Sequence, residues 1–276
     1  SNLLRNTDPN YGTVMQLSLN YANKFGDHNV GAMVLFEEQY NNWDNFYAQR
    51  VVQLDGEYLI YGEEKDQIGS MGGAGDKTRQ SVVGKVNYDY KGRYMVDFSF
   101  RYDGSSSFPK GSRWGFFPSV SAGWRISEEA FMKEWIPFLT NLKIRGSYGK
   151  MGDDGGASTY PQTVIAYNIE KDKIGWFYNG ALMAGVAATA IPNPDLTWYT
   201  AETYNLGLDF DLWNQKLSGT FEVFKRKRSG LLATSSTVVP GTVGASLPQE
   251  NLNSDQTFGW EISLNHRNRV AGENYW

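Results

Sequence analysis

Two adjacent carboxylates, Asp153 and Asp154 in GKMGDDGGAS, are the residues most obviously able to do chemistry. Such a pair can divide acid–base work or offer oxygen ligands to Ca²⁺. Gly152, Gly155 and Gly156 surround them, and a solvated turn is the simpler expectation. GSMGGAGDKT at 69–78 resembles a phosphate loop, but Asp76 stands where a glycine should precede Lys77. A buried strand before it and a helix after it are also missing, so an external loop is expected. Trp176, Phe177 and Tyr178 lie together in the longest expected loop, where exposed rings could stack on sugars or pack within the loop itself. His28 and His266 are far apart and lack metal-ligand spacing. There are no cysteines, which removes disulfides, thiolate metal sites and a cysteine nucleophile. No Ser/His/Asp arrangement has supporting context. The expectation is therefore no catalytic residue, metal or cofactor, with Asp153, Asp154, Trp176, Phe177 and Tyr178 as candidate substrate contacts.

The elements that would position these residues are strands. Aromatic residues make up 15% of the 276 and glycine occurs 30 times, while mean hydropathy is negative, -0.49. That combination points to an all-β chain with long polar loops. The formal charge of -4 gives no basis for nucleic-acid binding through bulk charge. Lys225–Arg228, the one basic run, reads as a solvated strand end. No apolar run reaches the length of a membrane helix. The opening SNLLRNTDPNYG lacks the basic-then-apolar order of a secretory leader, so an envelope protein with this opening is expected to be mature or partial.

Arg93–Phe108 shows the strand pattern at its clearest. Tyr94, Val96, Phe98, Phe100 and Tyr102 fall on one face, and Met95, Asp97, Ser99, Arg101 and Asp103 on the other. The same alternation marks Met15–Tyr21, Val82–Tyr90, Val120–Ile126, Leu142–Tyr148, Tyr204–Leu212 and Phe258–Leu264. Asn29–Gln39 and the stretch from Lys216 read as returning strands. This makes nine strands, with a tenth expected to start at Asn274–Trp276. Ser127 is a candidate N-cap for one short helix that Pro137 should stop. Connections alternate between short ones (25–28, 91–93, 214–215) and long ones (after Glu38, Lys150 and Ser229, and at GSSSFPKGSRWG). One rim should therefore carry tight turns and the other long loops.

Alternation also suits a soluble sandwich. Strands of about nine to twelve residues, unequal rims and a tyrosine cluster beside Lys91–Arg93 favour a membrane barrel. On that reading Tyr94, Val96, Phe98, Phe100, Tyr102, Leu206, Leu208 and Phe210 face lipid. Asp97, Ser99, Arg101, Arg125, Lys143, Arg145, Asp209 and Glu261 face a wet lumen. Trp114, Phe116 and Phe117 would form an aromatic band at the outer interface.

RYDGSSSFPKGSRWGFFPSVSAGWRISEEAF (101–131) resembles the most recognisable barrel segment of the SusC/RagA family of TonB-dependent outer-membrane transporters. LKIRGSYGKMGDD, NPDLTWYTAETYNLGLDF and LSGTFEVFKRKRSGLL follow in the family's order, and VVGKVNYDYKGRYMVDFSFRYDG precedes them. The resemblance implies an antiparallel up-and-down β-barrel of 22 strands, of which residues 1–276 would be a partial barrel domain, an open curved sheet if taken alone. The plug and closing strands are expected to be absent. It further implies an outer membrane of the Bacteroidetes type, a SusD-like surface lipoprotein and the TonB complex as partners, and import of a bulky polar nutrient, an oligosaccharide foremost or a peptide. A soluble, secreted glycan-binding β domain is the alternative, and no enzyme is expected.

Overall fold

The computed structural model describes residues 2–51, 58–59, 68–154, 167–178, 181–188, 191–236, 240 and 247–268. Its strands are β1 (Asn2–Thr7), β2 (Asn10–Phe25), β3 (His28–Val51), β4 (Ile68–Tyr90), β5 (Tyr94–Ser105), β6 (Trp114–Arg125), β7 (Leu139–Asp153), β8 (Tyr167–Tyr178), β9 (Ala181–Ala188), β10 (Tyr199–Leu212), β11 (Leu217–Thr234) and β12 (Gln249–His266). A 3-10 turn (Ile126–Glu128) and helix α1 (Ala130–Trp135) join β6 to β7.

Ten strands form one antiparallel sheet, and β8 and β9 pair as a separate hairpin. β1 and β2 lie against successive parts of β3, Phe46–Val51 and His28–Trp43, so they share one lane broken at Asp8 and Pro9. Proline has no N–H for a ladder, and its carbonyl instead accepts the Asp44 amide at 3.2 Å. From β3 to β7 and from β10 to β12 each strand pairs with the next, the order of an up-and-down meander. The edge lanes, β1–β2 and β12, do not meet among the described residues, so the sheet is open. The expected strand at Asn274–Trp276 lies outside the described residues, and β1, which the alternation did not mark, brings the described sheet to ten strands.

Cross-strand register carries one apolar face through the meander. A single row runs Tyr21, Ala32, Val86, Phe98, Val120, Tyr148, Tyr204, Lys225 and Phe258. The apolar side chains of this face are largely exposed, up to 77% for Leu19. Whole-molecule area says the same: a compact monomer of this mass exposes about 12,000 Å², whereas this chain exposes 19191 Å². Two aromatic belts border the face. Tyr90, Tyr94 and Trp124 stack near the tight turns, with successive centroids 6.4 Å apart, and Tyr102 stacks on Trp114 at 4.9 Å near the other rim.

The long connections contain more strand than expected. β3 has 24 residues and β4 has 23, each about 80 Å at the usual rise, about twice the length of 12-residue β5. GSMGGAGDKT therefore lies in β4, paired with β3, and is not a loop. β8 and β9 occupy part of the stretch after Lys150. Lys225–Arg228 lies inside β11, not at its end, although all four residues are exposed. α1 does stop before Pro137, but its N-cap is Glu129, without a side-chain cap bond, and Ser127 is buried instead.

Candidate functional site

The face opposite the aromatic belts carries the charged and polar side chains, in three tiers. Nearest the tight turns, Arg145 on β7 reaches across β10 to β11. Its Nε donates to Asp209 Oδ2 at 3.1 Å, and its guanidinium pairs with Glu222. Gly207 lies between them in register. A Cβ there would meet the Arg145 guanidinium carbon at 2.8 Å, so a larger residue would push the guanidinium out of its present position. Asn205 also donates to Glu222 at 3.0 Å, and Glu261 stands directly opposite Glu222 on β12. Met95, Asp97, Ser121, Lys143, Arg145 and Asn205 line a cavity of about 250 Å³ beside this network. Arg125 pairs in register with Lys143.

In the middle tier Arg101 donates to Asp103 at 3.1 Å and to Ser81 at 3.3 Å, with Glu37 at 3.9 Å. Ser99 lies between Lys85 and Ser119. The sequence therefore places Asp97, Ser99, Arg101, Arg125, Lys143, Arg145, Asp209 and Glu261 on one face. It places Tyr94, Val96, Phe98, Phe100, Tyr102, Leu206, Leu208 and Phe210 on the other. Among the latter, Phe100, Leu208 and Phe210 are half-buried by neighbouring rings and strands, and the others are exposed.

The outer tier departs from expectation. Asp154, read as a solvated turn residue, is 5% exposed. Lys77 Nζ and an Arg79 terminal nitrogen each approach its carboxylate at 2.7 Å, and Ser105 Oγ donates at 3.0 Å. Burial pushes this carboxyl up, but the Lys77 hydrogen bond, the Arg79 and Lys77 charges and the Ser105 hydroxyl together hold it below the usual aspartate value. Asp153 accepts the Tyr199 hydroxyl at 2.8 Å. The neighbouring carboxylates are thus engaged by different partners.

Around Asp154 a small core closes over the rim. Phe108, Phe117, Leu196 and Trp198 pack together, with Leu232 against them. Phe117 belongs to this core and not to the outer aromatic band that Trp114 and Phe116 supply. Successive strand residues face opposite ways, and Gly115 and Gly152 leave space for its ring. The Trp198 indole donates to the Arg113 carbonyl at 3.1 Å, Asn193 to the Gln249 carbonyl at 2.7 Å, and Thr197 and Asn251 bond reciprocally. GSSSFPKGSRWG is thus a packed corner whose Ser105, Ser107 and Phe108 are buried. A lone phenylalanine among serines before proline was the available signal. Trp176, Phe177 and Tyr178 end β8, and their side chains lie outside the described part. His28 bonds Tyr88 at 2.7 Å. Among the described residues no three metal-binding side chains converge.

Comparison with known proteins agrees with this architecture. The family model described as TonB dependent receptor-like, beta-barrel, matches residues 1–276. TonB-dependent receptor P39 of Formosa agariphila is 30% identical over 249 residues, 89% of this chain and 23% of that protein. TonB-dependent receptor SusC of Bacteroides thetaiotaomicron is 27% identical over 279 residues, 98% of this chain and 26% of that protein. The chain thus spans about a quarter of the length of these relatives. The RagAB peptide importer in its closed-closed state superposes with a TM-score of 0.81 at 20% identity, over 97% of this chain and 29% of that one. An open meander with an apolar face, a charged face and unequal rims is one sector of such a barrel, and the chain belongs to the TonB-dependent receptor β-barrel family, of the SusC/RagA type, whose members are outer-membrane transporters and receptors and not enzymes.

Proposed function

We propose that this sheet is part of the wall of a TonB-dependent importer of a bulky polar nutrient, most simply an oligosaccharide, working with a SusD-like surface lipoprotein. The carrying observation is the apolar face, interrupted in its central row only by Lys225, backed by the Arg145, Arg101 and Asp154 networks. A soluble glycan-binding domain would have to leave that apolar face in water, at a cost of about 25 cal/mol per Å². In lipid it becomes the stable surface, with Tyr94, Val96, Phe98, Phe100, Tyr102, Leu206, Leu208 and Phe210 against hydrocarbon. Asp97, Ser99, Arg101, Arg125, Lys143, Arg145, Asp209 and Glu261 then line the passage, where their charges stay hydrated or paired. A sheet with open edges has to be completed by further strands, because backbone groups in lipid need partners.

β3, β4, β11 and β12 continue past the outer belt and would lift the solute-recognising surface clear of the membrane. The energy for release would come from TonB acting on a plug inside the barrel. Uptake of labelled oligosaccharide by cells carrying the full-length receptor tests this reading. Uptake should require the receptor, its neighbouring lipoprotein and TonB together. Unchanged uptake without TonB overturns the mechanism, and uptake of peptides but not sugars overturns the solute.

A further inference from the structure

The geometry points to a hydroxyl-binding subsite at the outer end of the charged face, between β3, β4 and the end of β7. It rests on the import reading above and names where the solute's sugar hydroxyls would be held. Gln39, Asn41, Lys77, Arg79, Asp153 and Asp154 line a cavity of about 300 Å³, the lower end of the range for small-molecule sites. This is room for part of a larger solute. Every lining side chain is polar, unlike the cavity beside Arg145, where Met95 and Ala122 contribute.

Asp154 is buried and its oxygens already accept from Lys77, Arg79 and Ser105. Its part is to position the two cations at the cavity wall. Lys77 and Arg79 keep further N–H donors, since an ammonium carries three and a guanidinium five. Gln39 spends only its Nε2, on Glu37 at 2.9 Å, which leaves its carbonyl as an acceptor. The Asn41 amide makes no hydrogen bond among the described residues. Its Oδ1 lies over Gly12, where a Cβ would approach within 2.7 Å. Two cations against two carboxylates leave no net charge. A neutral wall that offers both donors and acceptors suits groups that are each both donor and acceptor, which hydroxyls are. An anionic solute would find the cations already neutralised, and an apolar one would strand the amides unpaired.

Lysine footprinting tests this on the full-length receptor in detergent. A mixed pool of neutral oligosaccharides is added, and acylation of Lys77 and Lys133 is followed by mass spectrometry. Lys133 lies on α1 at the tight-turn rim and serves as the internal control. Bound oligosaccharide should slow Lys77 acylation at least about threefold and leave Lys133 unchanged, and Asn41→Ala with Gln39→Ala should weaken binding about tenfold. The amide variants leave the Asp154 network intact, and unaltered mobility of the unheated barrel on gels will show that they fold. Oligosaccharide binding with Lys77 unprotected and the variants unaffected overturns the subsite and leaves the import reading standing. No oligosaccharide binding at all, or protection of Lys77 by a peptide pool or by oligogalacturonate alone, overturns both the subsite and the sugar assignment.

Discussion

The wall around Phe98 and the corner around Trp198 are built on opposite principles. In the wall, adjacent strands supply the hydrogen bonds, register aligns the rings, and little side-chain burial occurs, because Val96 and Phe98 remain 45% and 43% exposed. In the corner, residues far apart in sequence converge: Leu196 is fully buried and Phe108 is 2% exposed, and Thr197 bonds Asn251. The wall leaves its stability to the surrounding solvent, whereas the corner carries a core of its own. Substitutions should therefore separate the two, with wall variants failing at insertion and corner variants inserting normally but loosening at the outer rim.

Trp198→Ala should have the largest local effect. It removes the ring that Phe108 and Phe117 approach at 5.1 and 5.4 Å, together with the hydrogen bond to Arg113. Large aromatic-to-alanine changes in packed sites cost about 3–5 kcal/mol. Amide exchange over residues 105–113 should accelerate strongly while the barrel still inserts. Equal loss of insertion would show that corner and wall fold as one unit.

In the wall, Phe98→Arg should cost about 2–4 kcal/mol, the usual penalty for a cation at mid-membrane on a barrel's lipid side. Ser99→Arg, on the charged face, should cost far less. Folding yield in lipid vesicles reads the difference directly. Equal losses would sink the assignment of faces and the import reading with it.

The wall was legible in the sequence for the reason that makes it simple. A strand's faces follow from alternation alone, so Phe98 and Ser99 could be assigned to opposite sides without knowing any partner. Strand ends were less legible. β3 and β4 continue through Asn41–Val51, which mixes polar and apolar residues on both faces, and glycine-rich Ile68–Lys77, where alternation carries no signal and the neighbouring strand supplies the order. Asp154 was misread because glycines beside a carboxylate suggest solvent, while its cationic partners Arg79 and Lys77 lie 75 and 77 positions away. Phe117 was misread because three aromatics in a short run look like one band, although the chain turns Phe117 inward. For Ser127, the expected cap lost to Glu129, which starts α1 two residues later and accepts from the Tyr94 hydroxyl at 2.6 Å and the Trp124 indole at 3.2 Å.

Asp154 links the outer corner to β4, and its acidity gives that link a pH signature. Its carboxyl is held below its ordinary value, so its contribution is complete above the unfolded value, near pH 4, and fades as pH falls through the lower folded value. Asp154→Asn should cost about 1–3 kcal/mol at neutral pH, because Lys77 and Arg79 lose their carboxylate while remaining partly hydrated. Amide protection over residues 105–107, taken relative to the intrinsic exchange rate at each pH, should fall below about pH 4 in the parent and lose that dependence in the variant. A pH response that persists in Asp154→Asn would assign the titration to another group.

The smallest effect should come from the network nearest the tight turns. Arg145 stands among Asp209, Glu222 and the opposed Glu261, with its side chain about one-third exposed. Arg145→Gln would leave three carboxylates near one another, yet water and ions reach them along the charged face. Partly exposed pairs contribute about 0–1 kcal/mol, and salt screens them. Thermal unfolding of the variant in detergent should therefore fall slightly at low salt and recover as ionic strength rises. A loss that salt cannot restore would mean that Arg145 is packed by something covering this face and not bathed by solvent. The same measurement thus reports whether the inner surface of the wall is open or occupied.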